Sequence, residues 1–359
     1  MTRYVQAARG SAPVIVVALG LVVLGLAVQV FVNSSGFGYD FRAYDGAARR
    51  IAGGEALYLP GTVEAYRDGR YEGLYLYPPV LAIALIPLTV LSQADATLAW
   101  LVIRVGLLVV GCLALPVSWR TRAAVLGVAG LSFPVLFDLN LGNVSIVVFA
   151  LCAAAWRWLD SPIAALAHAA LIALRFPFGI FALTWLVQLR LRALAWTIAA
   201  GLVLIVVGLP VVGVSSYAEY LLILRGLPDI STGPHNLSFK SMALVAGLPD
   251  ALAALALPVG YLLGLASIIF AARRRDASTA LVVTATATLV VAPFIHPHYL
   301  VLLLLPSAWL MDRGRWWGFA LPLLGWLPEF VLPLAGPLAI GLVLAVGDPR
   351  PVATRASAA

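Results

Sequence analysis

The chain has 359 residues, of which 62% are apolar and only 11% charged, and its mean hydropathy is +1.00. A soluble domain carries about 25% charged residues, so the polar surface is too small to cover a water-soluble body of this size. That excludes a soluble enzyme, a disordered protein and a nucleic-acid binder. The formal charge of +7 reads instead as loop charge that orients a polytopic membrane protein.

The apolar runs are continuous and rich in Leu, Ala and Val, as at 12–32 and 193–214. Membrane β-strands would instead alternate in polarity over about ten residues. The spans are therefore helices. The first run follows Arg3 and Arg9, but it is too long for a leader and no small-x-small cleavage site precedes Asn33, so it reads as a retained span. Residues 33–96 follow as a first outer loop. Within it, 37–51 reads as a short helix stopped by Gly53-Gly54. At about 100° per residue, Asp40, Tyr44, Ala47 and Ile51 share an apolar face. Arg42, Asp45 and Arg49 share the other, where Asp45 is expected as an exposed carboxylate between two arginines.

The run 78–91 reads as a re-entrant or interfacial helix. Spans are then expected near 97–118, 123–137, 144–159, 162–175, 177–189, 193–213, 241–272, 277–295, 299–311, 316–332 and 335–347. Together with the first span these make a bundle of about twelve transmembrane helices. An even count puts both termini on one side with Arg3, Arg9, Arg120, Arg122, Arg190, Arg192, Arg273, Arg274, Arg275, Arg313, Arg315, Arg350 and Arg355, which positive-inside bias makes cytoplasmic. Counting 78–91 as a full span would move most of these arginines outside. Residues 1–349 form one domain and 350–359 a cytoplasmic tail. Cys112 and Cys152 sit within apolar runs and read as small buried hydrophobes, with no disulfide or metal cage signalled.

Several of these spans fall short of the roughly 20 residues needed to cross a bilayer. Such helices can end early where their ends line a hydrated, protein-walled cavity, and Pro87, Pro134, Pro177, Pro210 and Pro293 mark such ends or breaks. Asp40, Asp45, Asp138, Asn140, Asn143, Arg175, His235, Asn236, Lys240, His296, His298 and Glu329 all fall at outer ends or in outer loops. Polar groups at membrane depth are costly and point to function. Their one-sided collection argues for a single outward-facing site. A transporter would show matching halves around a midplane site, and no such internal repeat is found.

Asp40 is either an N-cap or, on the apolar face beside Tyr44, a catalytic carboxylate. Tyr77, in the stiff segment 75–79, belongs to an interfacial aromatic belt or lines a ligand. Arg175, held by Phe176-Pro177, either snorkels to headgroups or grips a phosphate. Lys240, the only lysine in the chain, faces the same choice. His296 and His298 lack an obvious third ligand, so no metal is expected; they suit hydrogen bonding to a phosphate or sugar. Asp138, Asn140, Asn143 and Asn236 can bind hydroxyls or cap helices. One carboxylate, a few cations and several amides beside an apolar slot suit a substrate that is both lipid and phosphate. Its leaving group is already an anion that Arg175, Lys240 or a histidine can stabilise, while the base takes a proton from an acceptor hydroxyl.

Several short elements occur in order: Asp40-Phe41 followed by Tyr44; Gly53-Gly54 to Tyr58; Tyr77-Pro78-Pro79; Gly142-Asn143-Val144-Ser145; Arg175-Phe176-Pro177; Asn236-x-Ser238; and the Pro/His-rich stretch 293–299. With them the chain, over about residues 12–345, resembles the bacterial glycosyltransferase family 87 of the GT-C superfamily. Its best-known members are polyprenyl-phosphate-mannose-dependent α-mannosyltransferases of the cell envelope. The resemblance implies a GT-C fold in the bacterial plasma membrane and an active site on the extracytoplasmic face. It also implies a polyprenyl-phosphate sugar donor, a glycolipid or glycan acceptor, no cofactor, and an aspartate in the first outer loop as base, a role that falls on Asp40. The family's late histidine is matched by His296 or His298. Asn143 and Ser145 depart from a Gly-Gln-x-Asn pattern, and Arg175 from a lysine. Transfer of another lipid-linked sugar, such as arabinofuranose, and a lipid-linked-sugar flippase stand as alternatives.

Overall fold

The computed structural model describes residues 2–227 and 235–347, with side chains from residue 14 onward. The expected tail 350–359 and the side chains of Arg3 and Arg9 lie outside the described residues. The described chain is helical, without a β-strand. In order, the helices are α1 (Thr2–Val32), α2 (Tyr39–Ala52), α3 (Thr62–Arg67), α4 (Pro79–Leu85), α5 (Gln93–Ala114), α6 (Trp119–Leu131), α7 (Phe133–Leu141) and α8 (Ser145–Arg157). They continue with α9 (Pro162–Leu174), α10 (Phe181–Val187), α11 (Leu191–Gly226), α12 (Phe239–Val245), α13 (Asp250–Arg274), α14 (Ala277–Val291), α15 (Leu304–Asp312) and α16 (Ala335–Val346). Tighter 3₁₀ turns fill Ile86–Val90, Phe176–Ile180, Pro297–Leu303, Trp316–Trp326 and Glu329–Leu334.

Five of the described helical stretches are long and apolar enough to cross a membrane, six if α6 and α7 form one broken span. The chain is a membrane protein whose other apolar helices are short. Proline, glycine and serine account for the breaks. Between α6 and α7 the extended Ser132 and Pro134 bend the axis by 63°. The single span expected at 241–272 is two helices, because left-handed Gly247 and then Pro249 end α12 before α13 begins. The expected 316–332 span is two 3₁₀ stretches around Pro322, Pro328 and Pro333. The span expected at 193–213 runs on to Gly226 through a kink at Gly213.

Lipid offers no hydrophobic drive between helices, so packing rests on shape and close approach. α1 crosses α6 through Gly20, Gly127 and Gly130; a methyl group at Gly127 would lie 2.7 Å from the Val16 carbonyl carbon. α1 otherwise turns Val14, Ile15, Leu19, Val22 and Leu26 outward.

Hydrogen bonds between turns define two ends of the bundle. At one, Asp312 accepts from the Ser118 backbone N–H, Arg275 donates to the Leu344 and Gly347 carbonyls, and Arg190 pairs with Asp160. The arginine turns flanking α6, α11, α14 and the Trp316–Trp326 turn gather there. The other end carries α2, the α7–α8 turn, the α9 terminus and the segment after α14. Here α2 lays Phe41, Tyr44, Ala47 and Ala48 into a second apolar cluster with Tyr58, Tyr75, Leu81 and Trp100. Asp45 corrects the sequence reading: it is buried, 1% exposed. Arg49, 2.8 Å from the Asp45 carboxylate, also donates to the Thr89 and Leu91 carbonyls. The Ile86–Val90 turn thus covers the face expected to meet solvent.

Candidate active site

The first turn of α2 is set by Gly38, whose left-handed backbone (φ 72°) opens the helix and whose N–H donates to the Asn140 carbonyl at 2.8 Å. Asp40 thereby faces the turn between α7 and α8. That turn depends on Gly142, at φ 80°, where a Cβ would sit 2.7 Å from the Phe41 Cβ. A left-handed backbone pressed this closely on α2 admits glycine. The Trp100 indole holds the Gly142 carbonyl at 2.8 Å, and Asn143 comes next.

Asn143 is the centre of the site and is buried, 4% exposed. Its Nδ2 donates to Asp40 Oδ2 at 2.7 Å and to the Tyr44 hydroxyl at 3.2 Å, with Tyr77 Oη at 3.5 Å. Its Oδ1 accepts from Arg175 Nη2 at 2.8 Å and from the Val144 N–H at 2.7 Å. Arg175 also donates to Ser145 Oγ at 3.1 Å and lies flat on the Tyr299 ring, 3.6 Å from its centroid. One amide therefore joins the carboxylate to the guanidinium. Tyr44 meets Tyr77 edge-on at 5.1 Å, so two aromatic rings wall the carboxylate.

Behind this layer lies a fully buried ion pair, in which Arg104 Nη1 stands 3.6 Å from Asp138 Oδ2. Arg104 donates to the Asp138 and Leu139 carbonyls at 2.6 and 3.1 Å. Asp138 Oδ1 caps α8 by accepting the Ser145 N–H at 2.9 Å. The pair fixes the turn that presents Asn143.

Burial raises the Asp40 carboxyl above its ordinary value, outweighing the hydrogen bond from Asn143 and the charges of Arg175 and Arg104. Oδ2 is the engaged oxygen among the described contacts. A carboxyl with raised affinity for protons beside a cation is the pairing expected of a base near an anion. His296 is pushed down to about 4, by burial first and then by nearby His235 and Arg175. It is thus neutral at pH 7 and can bond a phosphate or hydroxyl but not neutralise one.

Of the residues singled out from sequence, Asp40, Tyr44, Tyr77, Asn143 and Arg175 come together. His296 and His298 stack at 5.4 Å, and both flank Tyr299, which underlies Arg175. The His298 ring nitrogens and Asn140 Oδ1 are buried without hydrogen-bond partners. Asp138 lies inside the packing with Arg104 rather than on a rim. Asn236 is turned to the backbone: it donates to the Pro293 carbonyl at 3.1 Å and accepts from the Ser238 and Ile295 N–H groups at 3.0 and 3.1 Å. It ties the segment before α12 to the histidine stretch. Lys240 stands in the first turn of α12, which packs on α13. Arg104, Gly142, Ser145 and Tyr299 complete the site without having been assigned roles from sequence.

The residues present suit acid–base chemistry beside a bound anion. Among the described residues no group of three His, Cys, Asp or Glu side chains is placed to hold a metal ion. A family model described as Glycosyltransferase family 87 matches residues 75–297, a stretch that contains Asn143 and Arg175 and begins after Asp40. No curated protein and no solved structure matches the chain.

Proposed function

The chain belongs to glycosyltransferase family 87, and on that basis we propose that it transfers a mannosyl residue, with inversion, from polyprenyl-phosphate-mannose to a glycolipid or glycan acceptor. The observation that carries this reading is the amide of Asn143, which joins Asp40 to Arg175. Asp40 accepts the proton of the acceptor hydroxyl as that oxygen bonds to the anomeric carbon. The bond from that carbon to the phosphate oxygen breaks on the opposite face, and its electron pair leaves with the polyprenyl phosphate. Arg175 meets the developing charge, with Lys240, His296 and His298 as further phosphate contacts. Tyr44, Tyr77, Asp138, Asn140, Asn143 and Asn236 shape the sugar and acceptor side, Asp138 and Asn236 by holding backbone. In this reading about twelve membrane segments, the short ones included, place the site on the extracytoplasmic face of the bacterial plasma membrane, with both termini cytoplasmic.

The test is an assay of the purified protein in proteoliposomes with polyprenyl-phosphate-mannose and, separately, polyprenyl-phosphate-arabinofuranose. A mannosylated product is the expected result. Product from the arabinose donor alone would overturn the sugar assignment, and donor movement without any glycosidic product would overturn transferase activity.

The raised Asp40 carboxyl sets the pH dependence. The base works deprotonated, so kcat/KM falls as pH drops through that raised value. The acid limb should therefore lie above the range of an ordinary aspartate, about 3.9. A pH–rate profile checks this, and a limb centred near an ordinary carboxylate would assign the titration to another group.

A further inference from the structure

At the end of the bundle remote from Asp40, α9 and α11 part to leave a cavity of about 210 Å³ lined by Asp160, His168, Arg190, Arg192, Trp196 and Thr197 among others. Two of these are polar side chains sealed in an apolar wall: His168 is 3% exposed and Thr197 4%. His168 Nε2 and Thr197 Oγ1 are both buried without hydrogen-bond partners. Such orphaned groups cost free energy in a membrane interior unless something bonds to them. Phe181 and Trp185 pack on the His168 ring at 4.7 Å each and hold it in place.

The charged mouth is equally specific. Arg190 is committed to the Leu159 carbonyl and the Asp160 carboxylate, which balances that acid. Arg192 is exposed and adds a cation beyond the balanced pair. Trp196 lines the cavity and is about half exposed, and Ile163 and Leu191, the sequence neighbours of lining residues, are also exposed, so the surround is apolar. A cation at the rim, two hydrogen-bonding groups in the floor and an apolar surround fit a phosphate headgroup.

We propose that the α9–α11 cavity binds a phosphate ester, with Arg192 at its charge, Thr197 Oγ1 donating to a phosphate oxygen and His168 Nε2 accepting from a hydroxyl of the ester's alcohol. A membrane phospholipid or a soluble phosphate ester presents the same chemistry, and the source is separable by experiment. The site is distinct from the transfer centre and makes no use of Asp40, so it stands or falls independently of the proposed reaction.

The experiment uses the full chain purified in detergent. Thermal unfolding is followed with phosphatidylglycerol in mixed micelles in one arm and glycerol 1-phosphate in the other, and phospholipid carried through purification is counted by mass spectrometry. The expected result is a saturable rise in Tm. Its half-saturation concentration should increase roughly fivefold or more in Arg192→Gln and in Thr197→Val, the loss of one hydrogen bond to a charged group. Arg192 is on the surface and valine keeps the shape of Thr197, so neither variant depends on a rebuilt core. A rise with phosphatidylglycerol alone identifies a lipid; a rise with glycerol 1-phosphate identifies a soluble ester. Saturation at the same concentration in both variants as in the parent, or no rise with either compound, would overturn the proposal.

Discussion

Replacing Asp40 with Asn should reduce sugar transfer by about 10³-fold, within the range that a positioned general base supplies. The substitution preserves shape, and an amide oxygen can still accept from Asn143 Nδ2, which now lies 2.7 Å from Asp40 Oδ2. The protein should therefore reach the membrane and melt close to the parent. Donor binding should persist, because Arg175 and its contacts with Asn143, Ser145 and Tyr299 do not pass through the carboxylate. What disappears is the ability to take a proton. A measured turnover within a few-fold of the parent would remove Asp40 from the role of base. Loss of both turnover and thermal stability would make it a structural residue of α2.

The second large effect is expected far from any substrate. Arg104→Met should destabilise the fold by ~3–5 kcal/mol, the range for breaking a buried ion pair from one side. Arg104 and Asp138 are both fully buried, and the guanidinium also satisfies two carbonyls at the end of α7. Methionine fills much of the same space but donates to none of them. A fall in Tm of about 4–7 °C follows for a protein of this size, and thermal unfolding in detergent measures it. Arg104→Met/Asp138→Leu should recover a large part of the loss, since no unpaired charge then remains inside. The recovered protein should still show slower transfer, because Asp138 no longer caps α8 beside Asn143. An Arg104→Met protein that melts like the parent would show that the pair holds nothing.

Much of this site is legible in the sequence because it uses strong local signals. Gly53-Gly54 stops α2 where expected, and the apolar face of that helix carries Asp40 and Tyr44 towards the bundle. The prolines at 134 and 177 mark ends that the structure confirms as breaks in direction or helix type. Asn143, read as a hydroxyl ligand or helix cap, and Arg175, read as a phosphate or headgroup contact, meet because the α7–α8 turn and the α9 terminus lie at the same end. Other residues are legible in kind but not in use. Asn236 has the composition of a sugar ligand, yet its amide is spent on three backbone groups, a choice set by the packing of two segments far apart in sequence. Asp45 looks like a solvent-facing acid because nothing local announces that the Ile86–Val90 turn will cover it. Arg104 and His168 sit in the middle of apolar runs rather than at their ends. An ionisable group at that depth is itself a signal, and in both cases it marks a structural or binding feature that helix ends do not reveal.

The bridging amide of Asn143 has a consequence for how such a centre can diversify. Carboxylate and guanidinium touch opposite poles of a group that neither gains nor loses a proton, so they share no direct hydrogen bond there, while the Arg175 charge still acts on Asp40 through space. Exchanging the cation for one of different shape alters the grip on the departing anion while leaving the acid's immediate hydrogen bond untouched. A replacement that keeps the positive charge can therefore change the shape of the anion site while leaving the field on the carboxylate in place.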